Sequence, residues 1–470
     1  MESMSSSTDE YTIDSYFGRV NYDYADRYHL SASIRRDGSS RVHKDNRWGT
    51  FWSVGATWVA SKEQFMKNAD WVNNLALRAS YGSVGNDDVY YPDPTYGSNY
   101  YPWKSQFSVS NSDGSFALSE FYRGNKNLTW ETSYNLNVGI SANLFKDILS
   151  LDVEYFHKKT TDMLYNMPQP QSSGISAISE NALTMINEGV EYTVGVNIPM
   201  PAGIKWNWTL TGTHYKNRVT DIPEIKEVEG ITNSTYYNIR EGHSVYDFYY
   251  YKYAGVDENG KSTWYKDVEQ AKVDAEGNPV MDKEGNPVME TVMEKTTDYS
   301  TATKYYIGTA LPDLMGGIST SFSWKGIDLS VQTNFQIGGD IYDSMYSGFM
   351  HAGSNAGGNW HKDMLNAWTP ENNKSNIPVL DGDQNANIFS DRFLIGADYF
   401  NIKNISVGYT FPRSWMSKAQ IERARIFFSA DNVAIFSKRK GLDPRQYIQG
   451  LSQANYSTIR TMSFGVSLTF

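Results

Sequence analysis

Strict alternation of apolar and polar side chains is the feature that most constrains this chain. The last residues, Met462 to Phe470, alternate without a break and end on an aromatic side chain. Successive side chains of a β-strand point to opposite faces, so the pattern predicts a strand with one apolar and one polar face. Such a strand fits a soluble sandwich, or a membrane barrel whose apolar face meets lipid and whose polar face lines a wet lumen.

The same alternation recurs along the whole chain, whereas the helical period of 3.6 residues is nearly absent. Strand-like segments lie roughly at residues 16–24, 28–37, 50–59, 75–84, 132–145, 148–160, 190–199, 206–219, 315–324, 327–341, 399–411, 424–437 and 458–470. Short connections alternate with longer polar ones, expected at residues 85–131, 161–189, 220–314 and 342–398. This arrangement predicts an up-and-down meander with tight turns at one end and long loops at the other.

Composition narrows the class of protein. The chain of 470 residues has 14% aromatic residues, 34 tyrosines and no cysteine, which excludes thiol chemistry and disulfides. No apolar run approaches the roughly 18 residues of a membrane helix. The net charge of -11 argues against nucleic acid as a partner. We therefore predict an all-β fold, an antiparallel up-and-down transmembrane β-barrel with about 13–14 strands and long extracellular loops.

Strand parity bears on the domain organisation. Bacterial single-chain barrels have an even number of strands, and the last strand runs from the outside to the periplasm. Counting back thirteen strands, the first also runs inward and its N-terminal end lies outside. Residues 15–470 are therefore expected to be the C-terminal part of a larger barrel, after a disordered segment at residues 1–14 that lacks signal-peptide features. A strand hidden at residues 246–254 would reverse this parity.

Several motifs resemble one family. They are Tyr16–Tyr24 (YFGRVNYDY), Ser33–Arg41 (SIRRDGSSR), Trp48–Phe51 (WGTF), Leu77–Gly82 (LRASYG), Gly308–Pro312 (GTALP), Tyr399–Pro412 (YFNIKNISVGYTFP) and Gly441–Pro444 (GLDP). In this order they resemble the barrel of the SusC/RagA family of TonB-dependent outer-membrane transporters from Bacteroidetes. The resemblance covers nearly the whole chain, but only the C-terminal half or so of a family member. It implies that the 13–14 strands are a portion of a roughly 22-stranded transmembrane β-barrel.

The resemblance implies more than the residues show. Family members have an upstream plug domain and TonB box, and neither is visible here. They import glycans or peptides with a surface lipoprotein of the SusD type as a lid, powered through TonB. It therefore implies an outer-membrane location in contact with lipid, a SusD-like partner, an oligosaccharide or peptide ligand, and coupling to TonB only through the missing plug.

Catalytic and metal-binding patterns are weak. The seven histidines have no metal-ligand spacing, and neither a nucleophile elbow nor a P-loop occurs. Asp381, Asp383 and Asn385 mimic the start of a calcium loop, but Ala386 and Arg392 stand where glycine and glutamate are needed. We therefore predict no enzyme activity, no cofactor and no metal site.

Aromatic residues in the long loops are the best indication of a ligand or partner site. The candidates are Tyr101, Trp103, Tyr249, Tyr251, Trp360 and Trp368. Flat rings stack on sugar faces or pack against peptide side chains while their polar edges stay hydrated. The alternative is that individual rings belong to the aromatic girdle or pack beneath a lid protein.

One loop contains a repeat with a period of eight residues, Glu276–Met281 and Glu284–Met289 (EGNPVM). Gly-Asn-Pro is turn chemistry, which predicts hairpins on the outer surface or a mobile flap. A duplication without function would explain the repeat equally well.

The alternation and the resemblance together favour the wall and outer vestibule of a nutrient importer. The resemblance implies uptake of oligosaccharides or peptides with a SusD-like lipoprotein. The alternative is a non-transporting surface binding or structural protein, or an inactive fragment of a split transporter gene. Plug-coding sequence directly upstream of Met1 would distinguish the two.

Overall fold

The computed structural model describes residues 8–112, 115–226, 229–232, 236–416 and 420–470. Its strands are β1 (Ile13–Tyr24), β2 (Tyr28–Ser39), β3 (Trp48–Val59), β4 (Val72–Asn86), β5 (Gln106–Ser112), β6 (Ser115–Tyr122), β7 (Glu131–Leu144), β8 (Leu149–Pro168), β9 (Ala177–Pro199), β10 (Lys205–Asp221), β11 (Ile231–Thr232), β12 (Asn238–Ile239), β13 (Asp247–Tyr251), β14 (Tyr253–Val256), β15 (Ser262–Ala271), β16 (Met289–Thr296), β17 (Lys304–Thr309), β18 (Leu314–Trp324), β19 (Ile327–Ile337), β20 (Asp340–Tyr342), β21 (Leu394–Gly396), β22 (Tyr399–Thr410), β23 (Arg423–Ser437) and β24 (Thr461–Thr469). The α-helices within this part of the chain are α1 (Ser344–Phe349) and α2 (Arg413–Met416).

A 13-stranded antiparallel sheet forms the body of the protein, and we call it the wall. Its strand order is β1-β2-β3-β4-β7-β8-β9-β10-β18-β19-β22-β23-β24, so every wall strand pairs with its neighbours in sequence among the wall strands. This confirms the thirteen predicted strands and the up-and-down meander. Because the strand number is odd, β1 and β24 run in the same direction. The wall is open in the described part of the chain.

The predicted boundaries of β8, β9 and β19 were wrong. Residues 161–189 were expected to be a long loop, but β8 continues to Pro168 and β9 starts at Ala177. The register of this pair shifts between Thr160 and Leu164, where Asp162 takes a positive φ of 52°. Such a bulge interrupts the alternation from which strands are recognised. β19 ends at Ile337, before the predicted end at 341, because Gly338 and Gly339 both have positive φ.

The N-terminal segment differs in part from expectation. Residues 1–7 lie outside the described residues. β1 starts at Ile13, so the last two residues of the segment expected to be disordered belong to a strand. Just before it, the Tyr11 hydroxyl donates a hydrogen bond to Asp87 Oδ2 at 3.1 Å, and the Arg41 guanidinium lies 4.4 Å from the Tyr11 ring centroid. These contacts fix the start of the first strand against the loops at the same end of the wall.

The two faces of the wall differ in chemistry. One face carries a polar groove of about 450 Å³ lined by side chains such as Arg19, Asp23, Arg78 and Asn137. The opposite face carries an apolar groove of about 490 Å³ lined by Val20, Tyr22, Leu30, Val54, Tyr81 and Leu136, among others. A polar lumen and an apolar lipid-facing surface are the two sides of a transmembrane barrel wall. We call these the lumen face and the lipid face.

The long loops at one end fold into small sheets of their own. β13 pairs with β17, and β14, β15 and β16 form a three-stranded sheet. The strand suspected at residues 246–254 therefore exists as β13 and the start of β14, but it lies outside the wall and leaves the parity unchanged. No helix in the described residues is long and apolar enough to cross a membrane.

The eight-residue repeat forms two tight turns, which agrees with the predicted hairpins rather than with a mobile flap. Asp274 Oδ1 accepts hydrogen bonds from the backbone N–H groups of Glu276 and Asn278, and Asp282 Oδ1 does the same for Glu284 and Asn286. Each turn closes a bridge, Val273 with Pro279 and Met281 with Pro287. Both repeats are therefore ordered through the side chain that precedes the Gly-Asn-Pro motif.

Candidate functional site

An ion-pair bracket crosses three strands on the lumen face. Arg78 on β4 reaches Asp152 on β8, with Nη2–Oδ1 at 2.7 Å and Nη1–Oδ2 at 2.9 Å, and its Nε lies 2.9 Å from Glu154 Oε2. The guanidinium passes over Gly139 on the intervening strand β7, where a Cβ would lie 2.9 Å from Arg78 Cζ. Glycine is therefore required here so that the arginine can cross the strand.

The same device recurs near the other edge of the wall. Arg425 on β23 crosses Gly408 on β22 and reaches Asp328 on β19, with Nε–Oδ1 at 3.1 Å. A Cβ on Gly408 would lie 2.7 Å from Arg425 Cζ. Each bracket uses the planar fork of arginine, which matches a carboxylate in two parallel hydrogen bonds.

A polar cavity of about 510 Å³ lies beside the Arg78 bracket on the wall. Its lining includes Asp152, Glu154, Glu191 and Asn334. Glu154 and Glu191 are directly opposite each other in the β8–β9 register, and Arg78 pairs with Glu154. The wall therefore presents hydrogen-bonding groups and excess negative charge to whatever fills the lumen.

The predicted aromatic residues fall into separate groups. Tyr101 and Trp103 lie together in the loop between β4 and β7, and the Lys104 Nζ is 5.2 Å and 4.6 Å from their ring centroids. Trp103 also packs edge-on against His43 at 5.4 Å and donates its indole N–H to the Ser40 carbonyl at 3.3 Å. Both rings are half-buried, and Trp103 joins this loop to the one between β2 and β3.

Tyr249 and Tyr251 lie on β13, in the loop sheet between β10 and β18. Tyr249 packs against Tyr306 at 4.9 Å, and Tyr251 contacts Tyr250 at 4.6 Å. Burial raises the pKa of Tyr306 to about 12. Both predicted rings are half-buried, so part of each remains open to solvent.

Trp360 and Trp368 lie in the loop between β19 and β22. Trp360 is 51% exposed, stacks on His351 at 5.4 Å and donates its indole N–H to the His351 carbonyl at 2.9 Å. The Trp368 ring covers Gly260, where a Cβ would lie 2.6 Å from it. Tyr249 and Tyr251 share β13 but have different ring partners, whereas Tyr101 and Trp103 are joined through Lys104.

An aromatic core between the external loops was missed by sequence reasoning. Tyr342 stacks on Phe389 at 4.1 Å, and Tyr236 lies 4.4 Å from the same ring. Burial raises the pKa of Tyr342 to about 12. The core joins the loop between β10 and β18 to the loop between β19 and β22, and Leu451 from the loop between β23 and β24 packs against it. The isolated Phe389 gave no signal of this core. It holds these loops together above this part of the wall.

One external element leaves an apolar surface uncovered. β5 and β6 form a two-stranded hairpin in which Val109 pairs with Leu118. Phe107, Val109, Phe116 and Leu118 are 55%, 65%, 80% and 74% exposed. A lone hairpin is marginally stable in water, and an exposed apolar patch of this kind marks an interaction surface.

Comparison with known proteins decides the family. Residues 3–433 match the family described as TonB dependent receptor-like, beta-barrel. This chain belongs to that family. TonB-dependent receptor P3 of Formosa agariphila is 29% identical over 99% of the chain, and TonB-dependent receptor SusC of Bacteroides thetaiotaomicron is 26% identical over 98%. The chain spans 46% and 44% of the lengths of these two relatives.

A solved structure described as the RagAB peptide transporter has the same fold. It superposes with a TM-score of 0.80 at 26% identity, and the match covers 98% of this chain and 48% of that one. These findings confirm the resemblance to the SusC/RagA family and the all-β barrel prediction. The relatives of this TonB-dependent receptor barrel are receptors and transporters, not enzymes.

Proposed function

We propose that this chain forms the wall and external vestibule of a TonB-dependent importer in the outer membrane, which takes up oligosaccharides or peptides. The observation that carries the proposal is the TM-score of 0.80 over 98% of the chain with the RagAB peptide transporter. The wall supports it independently, because its polar face suits a wet lumen and its apolar face suits lipid.

The partner that we propose is a SusD-like surface lipoprotein which docks on the external loops. The exposed β5–β6 hairpin supports this, since its apolar face needs a covering surface. Tyr101 and Trp103 lie in the same loop, and Tyr249, Tyr251, Trp360 and Trp368 lie in the two other long loops. We propose that these six rings contact the ligand or the lipoprotein at the mouth of the barrel.

We propose that a plug segment couples the wall to TonB. The excess carboxylates of the lumen face, Asp152, Glu154 and Glu191 against Arg78, suit a plug surface that carries cationic side chains.

Energised uptake tests this function. In a host from which the gene has been deleted, the gene restored on a plasmid is expected to recover uptake of labelled oligosaccharides or peptides. Recovery should disappear when tonB is also deleted, because the import is powered through TonB. As a control, a variant with Lys44→Gln, at an exposed position in the loop between β2 and β3, should recover uptake as the wild-type gene does.

Two results would contradict the proposal. Uptake that survives deletion of tonB would show a passive pore. Surface binding of ligand without any uptake, in cells that produce the full-length gene product, would favour the alternative of a binding protein or an inactive fragment.

A further inference from the structure

A second cavity, of about 460 Å³, lies among the external loops and contains none of the six aromatic candidates. One side is formed by α1 and its neighbours, including Met345, Tyr346 and Phe349. The other side is formed by the loop between β23 and β24, including Lys440, Gln453, Asn455 and Tyr456. We call it the loop cavity. Its size falls within the range of about 300–1,000 Å³ that is usual for small-molecule sites.

Hydrogen bonds between the two sides hold the loop cavity open in a fixed shape. The backbone N–H of Tyr342 donates to the Gly450 carbonyl at 2.7 Å, and that of Ser452 donates to the Tyr342 carbonyl at 3.0 Å. The Ser344 N–H donates to Ser452 Oγ at 2.9 Å. A site that is already formed loses less conformational entropy when a ligand binds.

Most charges around the loop cavity are paired. Asp343 lies 2.6 Å from Arg439 Nε, and the Arg439 guanidinium covers the Tyr346 ring at 3.7 Å. Asp443 Oδ2 lies 2.6 Å from Arg445 Nη2. The ammonium group of Lys440, in contrast, has no ion pair or hydrogen bond to any described residue. The charge left over in the cavity is therefore one cation, in a chain whose net charge is -11.

The remaining free groups are two amides and a ring. The side chains of Gln453 and Asn455 make no hydrogen bond within the described part of the chain, and each offers a donor and an acceptor. Tyr456 is 97% exposed, so its ring faces are open. Amides that donate and accept match neighbouring hydroxyl groups, and an open ring face matches the face of a sugar.

An extended peptide fits this site less well. Peptides in extended form are held mainly by main-chain hydrogen bonds to a free strand edge. The strand that borders the cavity, β20, is paired with β21, and its Tyr342 also bridges to Leu451. Recognition in the loop cavity must therefore come from side chains.

We propose that the loop cavity binds an acidic sugar residue of an oligosaccharide. Lys440 contacts the carboxylate, the amides of Gln453 and Asn455 contact the hydroxyl groups, and the Tyr456 ring stacks on the sugar face. This inference rests on the proposed function, since it names the ligand class of the same importer.

Binding by the full-length gene product, purified from outer membranes in detergent, tests the inference. The probes are tri-galacturonate, its methyl ester as a neutral match, and a tri-glutamate peptide, all measured by calorimetry. Tri-galacturonate is expected to bind at least tenfold more tightly than the ester. Lys440→Gln should remove this preference, whereas Lys438→Gln, an exposed lysine two residues away, should keep it. Asn455→Leu should weaken both sugars by a similar factor.

Other outcomes overturn the inference. Equal affinity for the acid and the ester, no binding of any probe, or no effect of Lys440→Gln would each do so. Tight binding of tri-glutamate that depends on Lys440 would show a peptide site instead. The uptake experiment tests a different claim. Binding of tri-galacturonate without any TonB-dependent uptake would contradict only the importer function. Uptake without binding of tri-galacturonate would contradict only this site.

Discussion

Arg78 on β4 and Asp152 on β8 are joined by two hydrogen bonds of 2.7 and 2.9 Å, although a complete strand lies between them. The residue in between is Gly139, whose missing side chain leaves the path open. The bracket therefore fixes the register of three wall strands at once. A one-residue slip of β7 would put Val138 or Ile140 in the path and turn an apolar side chain toward the lumen.

Gly139→Val should lower the free energy of unfolding by about 1–3 kcal/mol, the usual cost of forcing extra atoms into a packed site. The added side chain would collide with the Arg78 guanidinium and separate it from Asp152. Urea unfolding in lipid vesicles measures the change. Gly18→Val on β1 is the matched control, because no atom lies within 4 Å of a Cβ there. An equal loss for both variants would show that the bracket does not depend on the gap.

The facing of neighbouring residues gives a second prediction. Val138 is 47% exposed on the lipid face, whereas Asn137 lines the polar groove of the lumen face. Val138→Arg should cost about 2–4 kcal/mol near the bilayer midplane, and Asn137→Arg much less. Folding into vesicles of defined thickness measures both. Similar losses for the two variants would mean that the faces are wrongly assigned.

The long-loop rings give a third prediction. Replacing Tyr101, Trp103, Tyr249 and Tyr251 together with alanine should lower ligand uptake or recovery of the lipoprotein partner, because stacking area is lost at the mouth of the barrel. Uptake assays and co-purification measure the two effects. A control pair, Phe65→Ala with Trp71→Ala, lies in the connection between β3 and β4 at the opposite end and should change neither. If the fourfold variant imports and co-purifies normally, the rings serve only to pack the loops.

Acidification should loosen the loop between β23 and β24. Burial tends to raise the pKa of Asp443, but its hydrogen bonds to Arg445 outweigh this and lower the pKa below its ordinary value. An aspartate whose pKa is lower in the folded than in the unfolded chain stabilises the fold at pH values above its unfolded pKa, which is about 4. This stabilisation is lost as the pH falls through the folded pKa. Hydrogen exchange of the loop amides should therefore accelerate below about pH 4 beyond its intrinsic rate. Asp443→Asn should exchange faster at neutral pH and lose this extra acceleration; an unchanged profile would contradict the role of the pair.

The wall could be predicted from the sequence because each strand separates two different media. Alternation at segments such as Tyr134–Leu144 follows directly from a polar lumen and an apolar bilayer. The ends of β8 and β9 were missed because the bulge at Asp162 breaks the period. The run Asp247–Tyr251 was placed in a long loop with a hidden strand left open, because its consecutive aromatic residues show no alternation.

The candidate sites were less predictable than the wall. Arg78 and Asp152 are 74 residues apart, and their meeting depends on the register of three strands. The loop cavity likewise depends on the contact of Tyr342 with Leu451, which no local pattern reveals. Sequence reasoning identified aromatic residues in the long loops, but it could not show which rings pack against each other.

The facing of β9 tests the central account most directly, and residues 1–470 contain no cysteine that would compete for a label. Single cysteines at Thr193 and Val194 of the full-length gene product would be labelled with bimane, and the protein folded into vesicles that contain doxyl-labelled lipid. Thr193 lines the lumen cavity, and Val194 is its neighbour on the opposite face. We expect strong quenching at Val194 and little at Thr193. Equal quenching at both positions, or the reverse order, would contradict a wall that separates lipid from lumen.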